Sequence, residues 1–298
     1  MKYSNNSLFY SSLLLFSEKD MEKLSKSAVS IAGIGGVGAI ASEMLVRNGI
    51  ANLKLADPEL YEEPNLNRQL FATVETMGIN KAISGYERLT KINPDCKVQV
   101  FDKGINLSNI KEFCSKTDVL ICQTDTESTK IIIHRAAKEQ HIPVICGSRG
   151  SILGHRWNVM AKTWNYKKYL DLPCYDETNH PEIALIPFEE LTEELLNKYD
   201  ETIKTKKMNI FYEYAKLKPE MFGSISQQDL FERINNSNNY FNRHVCSILA
   251  NTAGCLAATA TIKLILDGPE ADLEINLWDN YSEKLILKQD DAFVSSLI

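Results

Sequence analysis

The stretch Ser30-Ile-Ala-Gly-Ile-Gly-Gly-Val-Gly38 decides how the rest of the chain is read. Ala28 to Ile34 is a short apolar, β-branched run, the pattern of a strand buried on both faces. It meets Gly33, Gly35, Gly36 and Gly38, then Ala39 to Ile50, where apolar residues recur at helical spacing. Strand, glycine turn and helix in that order set a helix N-terminus beside exposed backbone N–H groups, and both favour negative charge. Glycine is needed where a side chain would block a phosphate or demand a forbidden φ. The expected ligand is a nucleotide. Gly33, Gly35 and Gly38 fit G-x-G-x-x-G, and Asp57 follows where a ribose-binding carboxylate belongs, so ATP and NAD are both open at this point.

Working outward, strands are expected at Ala51–Ala56, Lys97–Phe101, Asp118–Gln123 and Ile142–Cys146. Helices are expected from Gly78 to about Lys91, stopped by Asn93-Pro94, and over 108–116 and 126–140. That alternation predicts an α/β, doubly wound, Rossmann-like sheet. Leu8 to Leu24 reads as a helical arm ahead of it. Past Gly150 the rhythm changes: Ile152–Ala161 looks strand-like, whereas 164–242 is charged, mostly helical and without βαβ periodicity. An apolar helix over 243–266 follows, and 271–289 alternates around Asp279-Asn280-Tyr281-Ser282 as a β-hairpin. The chain thus reads as a single domain over 1–298: arm 1–27, nucleotide-binding α/β core 28–162, helical insert 163–242, and buried helix with C-terminal hairpin 243–298.

The 298 residues are 44% hydrophobic and 24% charged, an ordinary globular composition. A net charge of −6 argues against a nucleic-acid partner, which would need a basic footprint. The seven cysteines are scattered, odd in number and free of C-x-x-C pairs, which fits a reducing, cytoplasmic setting and predicts no zinc site. No pair of histidines has metal-ligand spacing. Ser247–Leu266 is apolar enough to resemble a membrane span, but Asn251, Lys263 and several hydroxyls point to a buried helix and no membrane partner.

In an open α/β sheet, ligands bind at the carboxyl ends of the strands. Asp57 ends the second strand, a loop with Arg68 and Gln69 follows it, Lys81 lies in the first turn of the next helix, and Asp125 ends the fourth strand. A dehydrogenase has no general use for that cationic set around a lone carboxylate. A Mg-nucleotide site does: arginine and lysine offset phosphate charge, and a carboxylate holds the hard cation.

With these motifs the chain resembles the ThiF/MoeB/HesA family, relatives of the adenylation domain of ubiquitin-activating enzymes. The resemblance rests on Gly33-Ile-Gly-Gly-Val-Gly38, Asp57, Asn65-Leu-Asn-Arg-Gln69, Gly78-x-x-Lys81-Ala82, Asp125 and the helix Ala253–Leu264, and it covers roughly 8–162 and 243–289. It implies an ATP- and Mg²⁺-dependent adenylyltransferase. A protein or peptide carboxylate, as on a ubiquitin-like sulfur carrier, would attack the α-phosphate and form an acyl adenylate. It further implies that Gly36 lies against the nucleotide, Asp57 binds ribose, Asn65 and Arg68 reach phosphates with Asn67 beside them, Gln69 orients the reacting groups, Lys81 holds phosphate and Asp125 holds the metal. A homodimer is implied too, and a helix apolar around most of its circumference needs cover on all sides.

The sequence departs from the family in three places. Phe9-Tyr-Ser-Ser-Leu13 has no arginine to reach a partner subunit's ATP, Thr126 replaces the asparagine that often follows the metal aspartate, and the paired C-x-x-C motifs of a structural zinc are missing. The first motivates a second reading, a nucleotide-binding, non-catalytic or half-site subunit. Cys174 opens the insert and is a candidate thioester acceptor, although Asp176 and Glu177 beside it should raise its pKa.

Overall fold

A computed structural model describes residues 9, 11, 12, 15–148, 152, 153, 156, 157, 159–216, 226–229, 232, 247–268 and 275–277. In chain order the elements are α1 (Glu18–Lys26), β1 (Ala28–Ala32), α2 (Gly36–Arg47), β2 (Asn52–Ala56), α3 (Lys81–Ile92), β3 (Lys97–Phe101), α4 (Ile110–Cys114), β4 (Val119–Cys122), α5 (Glu127–Glu139) and β5 (Val144–Ser148). There follow β6 (Ile152–Leu153), β7 (Arg156–Trp157), β8 (Val159–Trp164), α6 (Tyr175–Asn179), α7 (Pro181–Ala184), α8 (Glu193–Lys216), α9 (Ser247–Asp267) and β9 (Ile275–Leu277).

The main sheet has the order β3-β2-β1-β4-β5-β8-β9, with β6 and β7 paired separately. Strands β1 to β5 are parallel, while β8 runs antiparallel to β5 and β9 antiparallel to β8. The doubly wound expectation is met. The chain order reverses between β1 and β4, so the crevice at their carboxyl ends is the switch point where such sheets hold ligands. Val29, Ile31, Leu55, Leu120 and Ile121 are buried in the sheet, and Ile40, Leu45 and Val46 of α2 are buried with them. Each such aliphatic side chain contributes roughly 1.5–3 kcal/mol of transfer free energy.

Local boundaries differ from the sequence reading for identifiable reasons. The helical arm begins at Glu18, where the Ser17 hydroxyl accepts the Asp20 N–H and the Asp20 carboxylate accepts the Ser17 N–H. Most of 8–14 lies outside the described residues. Helix α3 starts at Lys81, because Gly78 has φ +77°, and Asn80 caps the helix by accepting the N–H groups of Ala82 and Ile83. The strand expected over 152–161 is instead the short β6–β7 pair followed by β8.

The chain forms two compact units, Met1–Leu191 with Cys246–Trp278, and Thr192–Val245 with Asp279–Ile298. The first part of the expected insert therefore belongs to the α/β unit. Arg135 of α5 fastens it there, donating to Asp176 Oδ2 at 2.5 Å, Ile186 O at 2.6 Å and Ile183 O at 2.7 Å. In the second unit the long described element is α8. Of the hairpin expected over 271–289, β9 alone lies within the described residues.

Helix α9 is long and apolar enough to cross a membrane by length and composition, yet 61% of its most apolar window is buried within the fold. It packs on α2, β4, β5 and β8. Gly254 permits this: a Cβ there would stand 2.6 Å from Ile40 Cβ and 2.7 Å from Val37 O.

Candidate functional site

The turn after β1 is built by glycines with separate reasons. Gly33 has φ +90°, and a Cβ on it would lie 2.5 Å from Gln123 O. A Cβ on Gly38 would lie 1.8 Å from Gly33 O, so both positions are fixed by the tightness of the turn itself. Gly36 points toward α9, where a Cβ would meet Ala250 Cβ at 2.9 Å and Arg68 O at 3.5 Å. Gly35 differs. It is the N-cap of α2, and a Cβ there would meet just the Gln69 amide, at 3.7 Å and beyond. Nothing among the described residues forbids a side chain at Gly35, which leaves a cradle open beside the first turn of α2, whose N-cap has no side-chain hydrogen bond.

Around that cradle the structure assembles most of the expected set. Asp57 is buried at the end of β2, with Oδ2 accepting the Ile34 N–H at 2.6 Å and Oδ1 accepting the Glu59 N–H at 2.9 Å. Burial pushes its carboxyl up to about 6, against the nearby Lys81 charge and those two N–H groups, which pull it down. Lys81 is buried and donates to the exposed Glu59 Oε2 at 2.5 Å. In the loop after β2, Asn65 is buried and its Oδ1 accepts the Glu62 N–H. Arg68 Nη1 donates to Pro64 O at 2.8 Å and Asn67 Oδ1 at 3.0 Å, a local brace that holds the guanidinium at the loop. Asp125 is exposed in the short link from β4 to α5.

Three buried polar atoms, Gln69 Oε1, Gln123 Nε2 and Asn251 Oδ1, have no hydrogen-bond partner among the described residues. Such atoms cost about 1–3 kcal/mol each unless a ligand or water satisfies them. Gln69 faces Gly35, Gln123 carries the carbonyl behind Gly33, and Asn251 follows the Ala250 that covers Gly36. Three unpartnered amide atoms, two cations, first-turn N–H groups and a cradle with room at Gly35 fit a nucleotide. Of these residues, sequence reasoning missed Glu59 and Gln123 as participants and treated Asn251 merely as evidence against a membrane span.

Cys174 does not suit a thioester. It is buried, and its thiol is pushed up to about 12 by burial and by Asp176. The histidine and cysteine spacing gave no metal set, yet the fold brings Cys122, His134 and Cys146 together, with their ligand atoms within 4.8 Å of one another.

A sequence model of the ThiF family matches residues 10–289. The chain belongs to the ThiF family. Among curated relatives, a probable molybdopterin-synthase adenylyltransferase of Porphyra purpurea is 31% identical, over 54% of this chain and 42% of its own length. The sulfur carrier protein ThiS adenylyltransferase of Bacillus subtilis is 31% identical, over 43% and 38%. The tRNA threonylcarbamoyladenosine dehydratase of Escherichia coli is also 31% identical, over 46% and 53%. The matches thus span about half or less of these relatives. Among solved structures, Escherichia coli MccB with ATP has a TM-score of 0.61 at 18% identity, covering 92% of this chain and 69% of that one. PaaA has a TM-score of 0.61 at 16% identity, covering 94% and 72%. At these identities the structural likeness establishes the shared fold.

Proposed function

We propose that this chain is an ATP-dependent adenylyltransferase that activates the C-terminal carboxylate of a ubiquitin-like sulfur-carrier protein or peptide. The observation that carries the reading is the Asn65–Gln69 loop closing over the glycine turn, with Arg68 O 3.5 Å from a Gly36 Cβ position, Gln69 Nε2 3.7 Å from a Gly35 Cβ position, and Gln69 Oε1 without a partner among the described residues. ThiF-family membership and relatives named as adenylyltransferases support ATP over NAD.

The incoming carboxylate is ionised at neutral pH and needs no general base. Its oxygen bonds to the α-phosphorus while the bond to the β-phosphate bridge breaks, and pyrophosphate leaves with that electron pair. The protein's work is therefore placement and charge stabilisation. The α2 amides and Arg68 would bind phosphate oxygens, Asp57 would accept from ribose, and Gln69 would orient the reacting groups. Lys81 would exchange Glu59 for phosphate; Glu59, being exposed, is then left to water. Mg²⁺, held through the hard oxygens of Asp125, would neutralise charge on the phosphates. The free cysteines fit a reducing, cytoplasmic setting, and a homodimer is part of the reading on family likeness; sedimentation as a monomer at micromolar concentration would remove it.

The test has two stages. Mg-ATP should raise the melting temperature while NAD leaves it unchanged. ATP–pyrophosphate exchange should then depend on a small carrier ending in Gly-Gly. Stabilisation by Mg-ATP without exchange, across carriers and peptides, would favour the non-catalytic subunit that the arginine-free arm suggests.

A further inference from the structure

The α/β unit holds a second cluster that the nucleotide chemistry does not use. Cys122 ends β4 and Cys146 lies in β5. The two strands are parallel with Leu120 opposite Val144 and Ile121 opposite Ile145, so the next step sets the two cysteines side by side on one face of the sheet. Helix α5, the crossover between these strands, covers that face and inserts His134, which is fully buried. His134 Nε2 lies 3.6 Å from Cys146 Sγ.

We propose that Cys122, His134 and Cys146 form a binding site for a thiophilic divalent d¹⁰ cation of the zinc class. The first support is distance. Zinc bonds of about 2.3 Å to sulfur and about 2.0–2.1 Å to nitrogen, at a tetrahedral angle, separate the two ligand atoms by about 3.6 Å. The second is orientation. His134 Nδ1 lies 2.9 Å from the Tyr166 hydroxyl. Metal binding at Nε2 calls for the tautomer with its proton on Nδ1, and the Tyr166 oxygen is in place to accept that proton, with the Nε2 lone pair then aimed at the sulfurs. A ring fixed through its other nitrogen is what a metal-binding histidine needs. Stacking on Tyr175, at 4.8 Å between ring centroids, and an edge contact with Trp164 at 4.9 Å hold the plane.

Charge is the third support. On binding, each thiol gives up its proton to solvent, so that a dication, two thiolates and a neutral imidazole sum to zero. A neutral site suits a buried position, and the nearby Lys130 is already paired with Glu127 at 2.9 Å. Among the described residues no fourth cysteine, histidine or carboxylate joins the group, which leaves one coordination position for water. The site would tie the ends of β4 and β5 together three residues before Asp125.

Cobalt(II) is the probe. Titrated into the reduced, metal-free full-length chain, it should give one equivalent of tetrahedral d–d absorption with a thiolate-to-cobalt charge-transfer band, displaced by zinc. Cys122→Ala and Cys146→Ala should each lose that band, while Cys255→Ser, at an exposed cysteine, should keep it. Circular dichroism separates loss of the site from loss of the fold, and the wild-type spectrum tests the site without any variant. A wild-type spectrum with no charge-transfer band, a band that survives in the Cys122→Ala/Cys146→Ala double variant, or isolation of the pair as a disulfide that resists reduction would each overturn the proposal.

Discussion

Asp57 carries the clearest electrostatic consequence of the fold at the scale of one residue. Its carboxyl sits at about 6 in the folded chain against 3.8 in the open one, because burial penalises the anion more than Lys81 and two backbone N–H groups reward it. The folded state thus holds the proton more tightly. The contribution of this group to stability is fully present below about 3.8 and is lost as pH rises through about 6. The displacement corresponds to roughly 3 kcal/mol. Urea titrations at pH 4.5 and 7 should show that slope in the wild type and a flatter one in Asp57→Asn; equal slopes would remove the assignment. Asp125 behaves differently, since it is exposed. Asp125→Ala should keep the melting temperature of the free protein while acyl-adenylate formation falls at least about 100-fold, the scale of losing one charge-stabilising group. Wild-type rates would sink the metal role. The glycines, Asp57, Arg68, Lys81 and Asp125 were legible as residue types at fixed offsets. Glu59, Gln123 and Asn251 were not, because their relevance lies in which buried atoms stay unpaired, and that depends on packing across elements.

Among the elements, α2 and α9 matter most to the site. The turn proposed to bind phosphate is the N-terminus of α2, and α9 lies directly against it through Ala250 and Gly254. Gly254→Val would drive a side chain into Ile40 and the Val37 carbonyl, and helix backbone cannot yield as a flexible side chain can. A loss of about 1–3 kcal/mol in urea denaturation is expected, with weaker Mg-ATP stabilisation because the α2 turn shifts. Stability equal to the wild type would show that the two helices separate without cost. The βα alternation was readable because each parallel strand is a short apolar run and each crossover is amphipathic. The region after Gly150 was less so, since β6 and β7 are two residues each and β8 turns back antiparallel onto β5, which breaks the βαβ rhythm. The reach of the α/β unit to Leu191 depends on the Arg135 fork, three hydrogen bonds spanning more than forty positions that no local pattern reveals. His134 escaped for the same reason. Its partners Cys122 and Cys146 lie on neighbouring strands, and the spacing reflects a crossover helix rather than a metal loop.

At the scale of the whole molecule, α9 is covered largely from within its own chain, and the two compact units divide the assigned residues unequally. The apolar circumference of α9 suggested cover by a second subunit, but α2, β4, β5 and β8 of the same chain supply much of that cover, and Cys255, Thr259 and Lys263 face outward. The helix therefore no longer requires a dimer. The division into units also separates the proposed chemistry from client choice. Every residue assigned to nucleotide binding, from Gly33 to Asp125 together with Asn251, lies in the unit Met1–Leu191 with Cys246–Trp278. The unit Thr192–Val245 with Asp279–Ile298 supplies none of them. Enzymes that share ATP chemistry and differ in the carboxylate they receive have reason to keep recognition outside the shared site. Replacing residues 195–235 with a Gly-Ser linker should consequently leave the Mg-ATP shift in melting temperature intact while carrier-dependent pyrophosphate exchange falls to background. If Mg-ATP stabilisation disappears as well, the second unit is part of the nucleotide site. If exchange persists unchanged, client recognition belongs to the α/β unit.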